Sequence, residues 1–429
     1  MTDERVRAEA LEAPSQLPRP TPAPEKNHRD DPAEVENPHH SEARRESPDT
    51  PKKGANWQFI GVVVATISVV VAIIFGSLAL RSSRENTEAL RKIAEITAAQ
   101  VAENPTEAAE TAKSVQGNLV ASLIDRAIAS AVQLQRQGKT EEAIEKWRSI
   151  ANVAGEEDRP LQARAWFSTG YLLNKGEGTD WEAVLDAYTQ AIELDPTLAG
   201  AYNNRGSAKG ALGQYDAAIA DLDRAIELNP AFATAYNNRG NAKNNLRQYD
   251  AAIADLDRAI GLNPTLAGAY YNRGIAKNNL GQDEAAIADY DRAIELNPAL
   301  AAAYYSRGFA KNNLDQYEAA IADYDRAIEL NPALAAAYYN RGNAKGDLRQ
   351  YEAAIADYDR AIELNPALAA AYYNRDSVNV ALDRRNAARE DFETALALAQ
   401  AAGDENVVAR AKRNLRLLDN SEASGLQGQ

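Results

Sequence analysis

Asparagine recurs along this chain at a spacing that composition does not explain. Asn237, Asn241, Asn244 and Asn245 stand close together, and the pairs Asn278–Asn279 and Asn312–Asn313 follow Asn244–Asn245 at one constant interval. A carboxamide donates through its nitrogen and accepts through its oxygen. A column of them could hydrogen-bond the backbone of an extended peptide with little regard for its side chains. Asparagine is also a poor helix-interior residue, because its side chain competes for backbone hydrogen bonds, so such a column costs helix stability in every period. Arginine and aspartate recur at the same interval. Arg205, Arg239, Arg273, Arg307 and Arg341 precede Asp221, Asp255, Asp289, Asp323 and Asp357, each by the same offset. These are either hydrogen-bonded links between two helices or separate solvated charges.

Catalytic chemistry finds little material. Cysteine is absent, which removes thiol nucleophiles, thiolate metal sites and disulfides. His28, His39 and His40 all lie in a head rich in Pro and Glu and read as a chance cluster rather than a metal site. There is no G-x-G-x-x-G, no phosphate-binding G-x-x-x-x-G-K-[ST] and no segment left over for a catalytic domain. No enzyme activity, cofactor, metal or small-molecule substrate is expected. The 62 acidic against 47 basic residues, a net charge of -15, argue against a nucleic-acid partner.

The segments that position these residues differ sharply. Residues 1–56 hold many prolines and few large apolar side chains, and read as a disordered head. Phe59 to Leu80 is an unbroken run without charge, with Trp57 at one edge, so 57–81 reads as a transmembrane helix. Residues 82–123 read as helical, either a stalk or an atypical first layer. From 124 to about 402 the chain repeats. Pro196, Pro230, Pro264, Pro298, Pro332 and Pro366 are evenly spaced, one in each period. Val408, Ala411, Leu415 and Leu418 give a capping helix over 403–418, and 419–429 reads as a disordered tail.

The repeating unit, for example Ala335 to Leu368, resembles the tetratricopeptide repeat. Tyr338, Gly342, Ala354, Tyr358, Ala361 and Pro366 match the family's aromatic, glycine, alanine and proline positions. The leucine and tyrosine usual at positions 7 and 11 are here Arg341 and Lys345. The residues themselves give a matching hairpin. A first helix runs from about Ala335 to Leu348 and a second from about Tyr351 to Leu364, with Asn365–Pro366 ending it. Each hairpin needs neighbours to bury its apolar faces. The expected fold is all-α, a right-handed superhelical solenoid of about eight helix-turn-helix repeats preceded by one transmembrane helix. The chain is thus similar to membrane-anchored bacterial tetratricopeptide proteins of cyanobacterial type.

The resemblance implies that the first helix of each repeat lines a concave groove. The groove residues it implies are Asn203, Asn237, Asn241, Asn244, Asn245, Tyr271, Asn278, Asn279, Tyr305, Phe309, Asn312, Asn313, Tyr339 and Asn343. Their partner would be a protein or extended peptide; the bland alternative is a solvated face. The units from Ala301 and Ala335 agree at all but five positions, and four of the five differences fall at groove positions. Asp291, Asp325 and Asp359 are expected on the outer face. Replacing Asn244, Asn278 and Asn312 by alanine is expected to keep or raise stability. The resulting expectation is a membrane-anchored interaction module, the membrane joined through 57–81 and the repeats in a periplasm or lumen. The alternative is a scaffold that organises a membrane complex through its edges and outer face.

Overall fold

The computed structural model describes residues 105–154, 158–176 and 178–426. They form helices throughout, in consecutive pairs. In order these are α1 (Pro105–Arg136), α2 (Thr140–Val153), α3 (Arg159–Leu173), α4 (Trp181–Leu194), α5 (Ala199–Ala211), α6 (Tyr215–Leu228), α7 (Ala233–Asn245), α8 (Tyr249–Leu262), α9 (Ala267–Asn279), α10 (Asp283–Leu296), α11 (Ala301–Asn313), α12 (Tyr317–Leu330), α13 (Ala335–Asp347), α14 (Tyr351–Leu364), α15 (Ala369–Ala381), α16 (Arg385–Ala402) and α17 (Glu405–Leu426). They divide into two compact units at Leu212/Gly213.

In the first unit, α1 to α3 enclose Leu123, Ala127, Ala131, Trp147, Ile150 and Leu161. Trp147 donates from its indole nitrogen to Gln135 Oε1 at 3.0 Å, which satisfies the one polar atom the ring buries. Tyr188 of α4 packs among Val184, Ala191 and Ala201, with Trp166 and Trp181 beside it. Asp158 and Asp180 cap α3 and α4, accepting from Leu161 N at 3.2 Å and Ala183 N at 3.1 Å.

In the second unit the repeat dictates the hairpin. A Cβ added at Gly274 would lie 2.6 Å from a ring carbon of Tyr290, and one at Gly308 would lie 2.9 Å from Tyr324. The first helix therefore sits directly on the aromatic of the second, and only glycine allows that approach. Alanines such as Ala286, Ala293, Ala320 and Ala327 are fully buried around the same contact. The second helix ends at Asn-Pro. Proline withdraws a donor, and the preceding asparagine side chain accepts from the backbone two residues on, as in Asn331 Oδ1 from Ala333 N at 3.2 Å. The turn inside each hairpin holds a left-handed residue: Gly213 and Gly281, but also Arg247, Asp315, Arg349 and Asp383 at φ of 57–60°. In the turns at 247, 281, 315, 349 and 383 the left-handed residue allows two helix-closing bonds, such as Arg247 N to Asn244 O at 3.0 Å and Gln248 N to Lys243 O at 2.9 Å.

The all-α, tetratricopeptide-like array of about eight helix pairs is present; the membrane part of the expectation is corrected. No helix among the described residues is long and apolar enough to cross a membrane. The span expected at 57–81 lies outside the described residues, as do the head at 1–56 and most of 82–123. The described helices are amphipathic instead: even α1, with 32 residues, includes charged residues such as Asp125, Arg126 and Arg136. The transmembrane element, the membrane as a partner and the single-pass placement with repeats in a periplasm or lumen are therefore not part of the fold found here.

Candidate functional site

The first helices α5, α7, α9, α11 and α13 place the predicted groove residues, and in the second unit a charged lattice joins the first helices to the second helices. Arg307 forks onto Asp323 through Nε at 2.9 Å and Nη2 at 2.5 Å, while Nη1 reaches back to Asp291 of the preceding repeat at 2.5 Å. Arg239, Arg273, Arg341 and Arg375 repeat the arrangement with their own aspartate pairs. Lys311 adds a third contact to Asp323 at 2.8 Å. Each guanidinium also lies over the position-4 tyrosine, Arg307 over Tyr304 at 5.5 Å. Asp323 is buried, so its charge is tolerable only because two cations hold it. The hydrogen bonds Arg239 donates to Asp255, opposed by burial, raise its guanidinium further above its ordinary range. The linked reading of the Arg/Asp series is the one observed for Arg239, Arg273, Arg307 and Arg341; Arg205 donates to Thr189 Oγ1 at 3.2 Å. Arginine and lysine at positions 7 and 11 act together on one carboxylate. Asp291, Asp325 and Asp359, expected on the outer face, are half-buried acceptors that tie successive repeats together.

The asparagines do not form one open row. Asn203 in the first unit is 3% exposed and donates to Asn204 Oδ1 at 3.0 Å. In the second unit Asn237 is likewise 3% exposed and accepts from Asn272 at 3.0 Å, while Asn244 donates to the Asn272 carbonyl at 2.8 Å. These residues glue α7 to α9 and are not free to read a ligand. Asn278 donates to Asp283, a buried acid standing where the neighbouring repeats have tyrosine. Asn278 and Asn312 are half-buried. The expectation that alanine at 244, 278 and 312 would leave stability intact is corrected, since two of the three side chains hold neighbouring elements together.

Other predicted residues do face outward. Asn245, Asn279 and Asn313 are exposed at successive first-helix ends, with Asn241 half-buried one turn before. Asn245 and Asn279 each donate to the backbone carbonyl four residues earlier, at 2.9 and 2.8 Å. Asn313 donates to Asp283 at 3.3 Å, and Tyr249 Oη donates to Asn279 Oδ1 at 3.2 Å. Phe309 is 39% exposed. Tyr271, Tyr305 and Tyr339 are half-buried, their rings tilted on Tyr290, Tyr324 and Tyr358 with centroids 6.0–6.1 Å apart. The hydroxyls of Tyr305 and Tyr339 accept from Asn340 and Asn374 of the following repeat at 2.9 and 3.0 Å. Asn343 Oδ1 accepts from Tyr358 Oη at 2.9 Å and from Asn374 at 2.7 Å. Asn374 and Asp283 were not singled out from sequence; both occupy variants of positions already recognised as periodic, which was the available signal.

Burial raises the hydroxyls of Tyr188, Tyr290, Tyr324 and Tyr358, and two further groups are also shifted. Asp376 occupies the glycine position in α15, is fully buried, and neither carboxyl oxygen has a hydrogen-bond partner among the described residues. Burial, then the neighbouring Asp391 charge, pushes its carboxyl up to about 10 despite Arg375. Tyr317 donates to Asp315 at 2.7 Å, and that bond pushes its hydroxyl up to about 12.

Comparison with known proteins places these observations. The chain matches the family described as TPR repeat over 206–246, 276–315 and 312–348, and those described as Tetratricopeptide repeat over 233–266, 335–368 and 187–220. Among solved structures it is similar to YrrB, described as a TPR protein with an unusual peptide-binding site, at 27% identity and TM-score 0.38, covering 44% of this chain and 98% of that one. It is similar to the Cut9–Hcn1 hetero-tetramer of APC/C at 17% identity and TM-score 0.50, covering 74% of this chain and 60% of that one. A tetratricopeptide repeat protein from Parabacteroides merdae aligns at 20% identity and TM-score 0.46 over 61% of this chain and 97% of that one. Among the described residues no group of three or more His, Cys, Asp or Glu could hold a metal ion. Over residues 187–266 and 276–368 the chain carries the sequence pattern of tetratricopeptide repeats, and its helices there follow the repeat period.

Proposed function

We propose that the repeats act as a binding module that holds a protein or an extended peptide along the outward-facing side chains of the first helices. The observation that carries this reading is where the two most similar repeats differ. The units from Ala301 and Ala335 share every residue of their second helices, including exposed ones such as Glu318/Glu352 and Arg326/Arg360. They differ at 306/340, 309/343, 312/346, 313/347 and 315/349, all in the first helix or its turn. Drift without selection would have touched exposed second-helix positions too.

The test uses exposed side chains of the first helices, of which Asn279 accepts one exposed bond from Tyr249 Oη. Asn245→Ala, Asn279→Ala and Phe309→Ser, combined, should change unfolding free energy by less than about 0.5 kcal/mol, as is usual for exposed sites. Partner retention, measured by site-specific photocrosslinking in the native cell and quantified against wild type, should fall about tenfold, the scale of one interface anchor. Glu284→Ala with Glu318→Ala, exposed on second helices, should leave it unchanged. Loss with the second set and not the first would sink the reading.

A further inference from the structure

Three features meet on the first-helix face of α11 and α13. Phe309 is exposed, with Ile275 at the equivalent position of α9. An apolar surface left in water favours a partner that covers it. One helical turn further on, in α13 and in the turn after α11, stand Asp347 and Asp315. Among the described residues neither makes an ion pair; Asp315 accepts a hydrogen bond from Tyr317 Oη at 2.7 Å, and Lys311 and Lys345 pair with Asp323 and Asp357, both at 2.8 Å. Burial and then the Asp315 charge hold the Asp347 carboxyl above its ordinary range. Asn312 Oδ1, on the same helix, is shut off from water with no hydrogen-bond partner among the described residues. Phe309, Asp315, Asp347 and Asn312 all fall within the five positions at which the two repeats differ.

We infer that this face selects an extended peptide in which an apolar side chain is followed, a few residues on, by Lys or Arg. The apolar side chain covers Phe309 and Ile275, and the cation sits between Asp315 and Asp347. Charge complementarity decides the class of partner. Two carboxylates without a cation disfavour each other's charge, and an ammonium or guanidinium relieves both. The net charge of -15 adds a field that draws cationic segments in and turns acidic ones away. The exposed carboxamides of Asn279 and Asn313 each spend one N–H on the protein itself and keep a second for the peptide backbone. The assignment rests on the binding reading above and narrows it from any peptide to one class.

Labelled peptides of about twelve residues, long enough to span roughly 40 Å when extended, carry Leu-x-x-Lys-Lys, Leu-x-x-Ser-Ser or Leu-x-x-Glu-Glu on a Gly/Ser background. Each is titrated against the full chain by fluorescence anisotropy, at low salt and again where the Debye length falls below ~8 Å. The Lys peptide should bind about tenfold more tightly than the other two at low salt, with the advantage shrinking as salt rises. Asp315→Asn with Asp347→Asn should abolish that preference and leave the Ser peptide unaffected. Phe309→Ser should weaken the Lys and Ser peptides alike by about tenfold. Circular dichroism confirms that each variant is folded. Equal binding of all three peptides, indifferent to the aspartate changes, overturns the charge assignment. If Asn279→Ala with Asn313→Ala still weakens all three in that case, the broader binding reading survives. Failure of every peptide to bind overturns both.

Discussion

Asp376 shows what one residue can do against the repeat around it. Equivalent positions hold glycine because the next helix lies against the backbone, and here a carboxyl has been buried there without a donor. A carboxyl that titrates near 3.8 in the unfolded chain and near 10 in the folded one is protonated in the fold and ionised outside it across the range between. The unfolded state then binds fewer protons, so stability falls as pH rises from about 4 to about 10. The slope for one such group is at most about 1.4 kcal/mol per pH unit. Unfolding of α15 and α16, followed by hydrogen exchange, should therefore become easier between pH 5 and 8. Asp376→Asn should flatten that dependence, and Asp376→Gly should stabilise the pair by about 2 kcal/mol, the cost of a buried polar group without a partner. A slope unchanged in Asp376→Asn would show that another group is responsible.

Helix ends carry a second, smaller departure from the ideal. The residue that closes each first helix must be left-handed, and Arg247 and Arg349 adopt that conformation with a Cβ in the way. Arg247→Gly and Arg349→Gly should each raise stability by about 0.5–1 kcal/mol, the left-handed strain of roughly 1–2 kcal/mol less the extra freedom glycine gives the unfolded chain. Chemical denaturation with an unchanged slope would check it. The element scale is also where sequence reading succeeded and failed for identifiable reasons. Helix bounds such as Ala335 and Leu364 were legible because alanine periodicity, Asn-Pro and the constant repeat period agree. The burial of Asn237 and Asn244 was not. Period alone gives the face a residue occupies, but whether the next repeat covers that face depends on helix rotation, and here the Arg–Asp forks lock the rotation. Tyr305 and Tyr339 were read as open contacts for the same reason, whereas each hydroxyl already serves the next repeat.

Across the second unit the same interface recurs, so whole repeats are interchangeable parts. Deleting 301–334 brings α13 against α10, where Asp291 replaces Asp325 as the partner of Arg341 and Tyr271 replaces Tyr305 opposite Asn340. The shortened chain should remain folded and helical by circular dichroism. Its denaturant slope should shrink in step with the surface lost, because stability in a stack is close to a sum over repeats and their interfaces. It should also lose the preference for Lys peptides, since Phe309 and Asp315 leave with the repeat. Collapse of the deletion variant would mean that the forks are not equivalent from one repeat to the next.

The aromatic residues are distributed unevenly between the two units. Trp147, Trp166 and Trp181 all belong to the first, whereas the second has stacked tyrosine pairs and no tryptophan; the fourth, Trp57, lies outside the described residues. Each unit thus carries its own optical reporter. With Trp57 replaced by phenylalanine, emission excited at the red edge of the absorption band comes from the first unit alone. Near-ultraviolet dichroism of the coupled tyrosines reads chiefly the second, so the order in which the units melt can be followed without a dye.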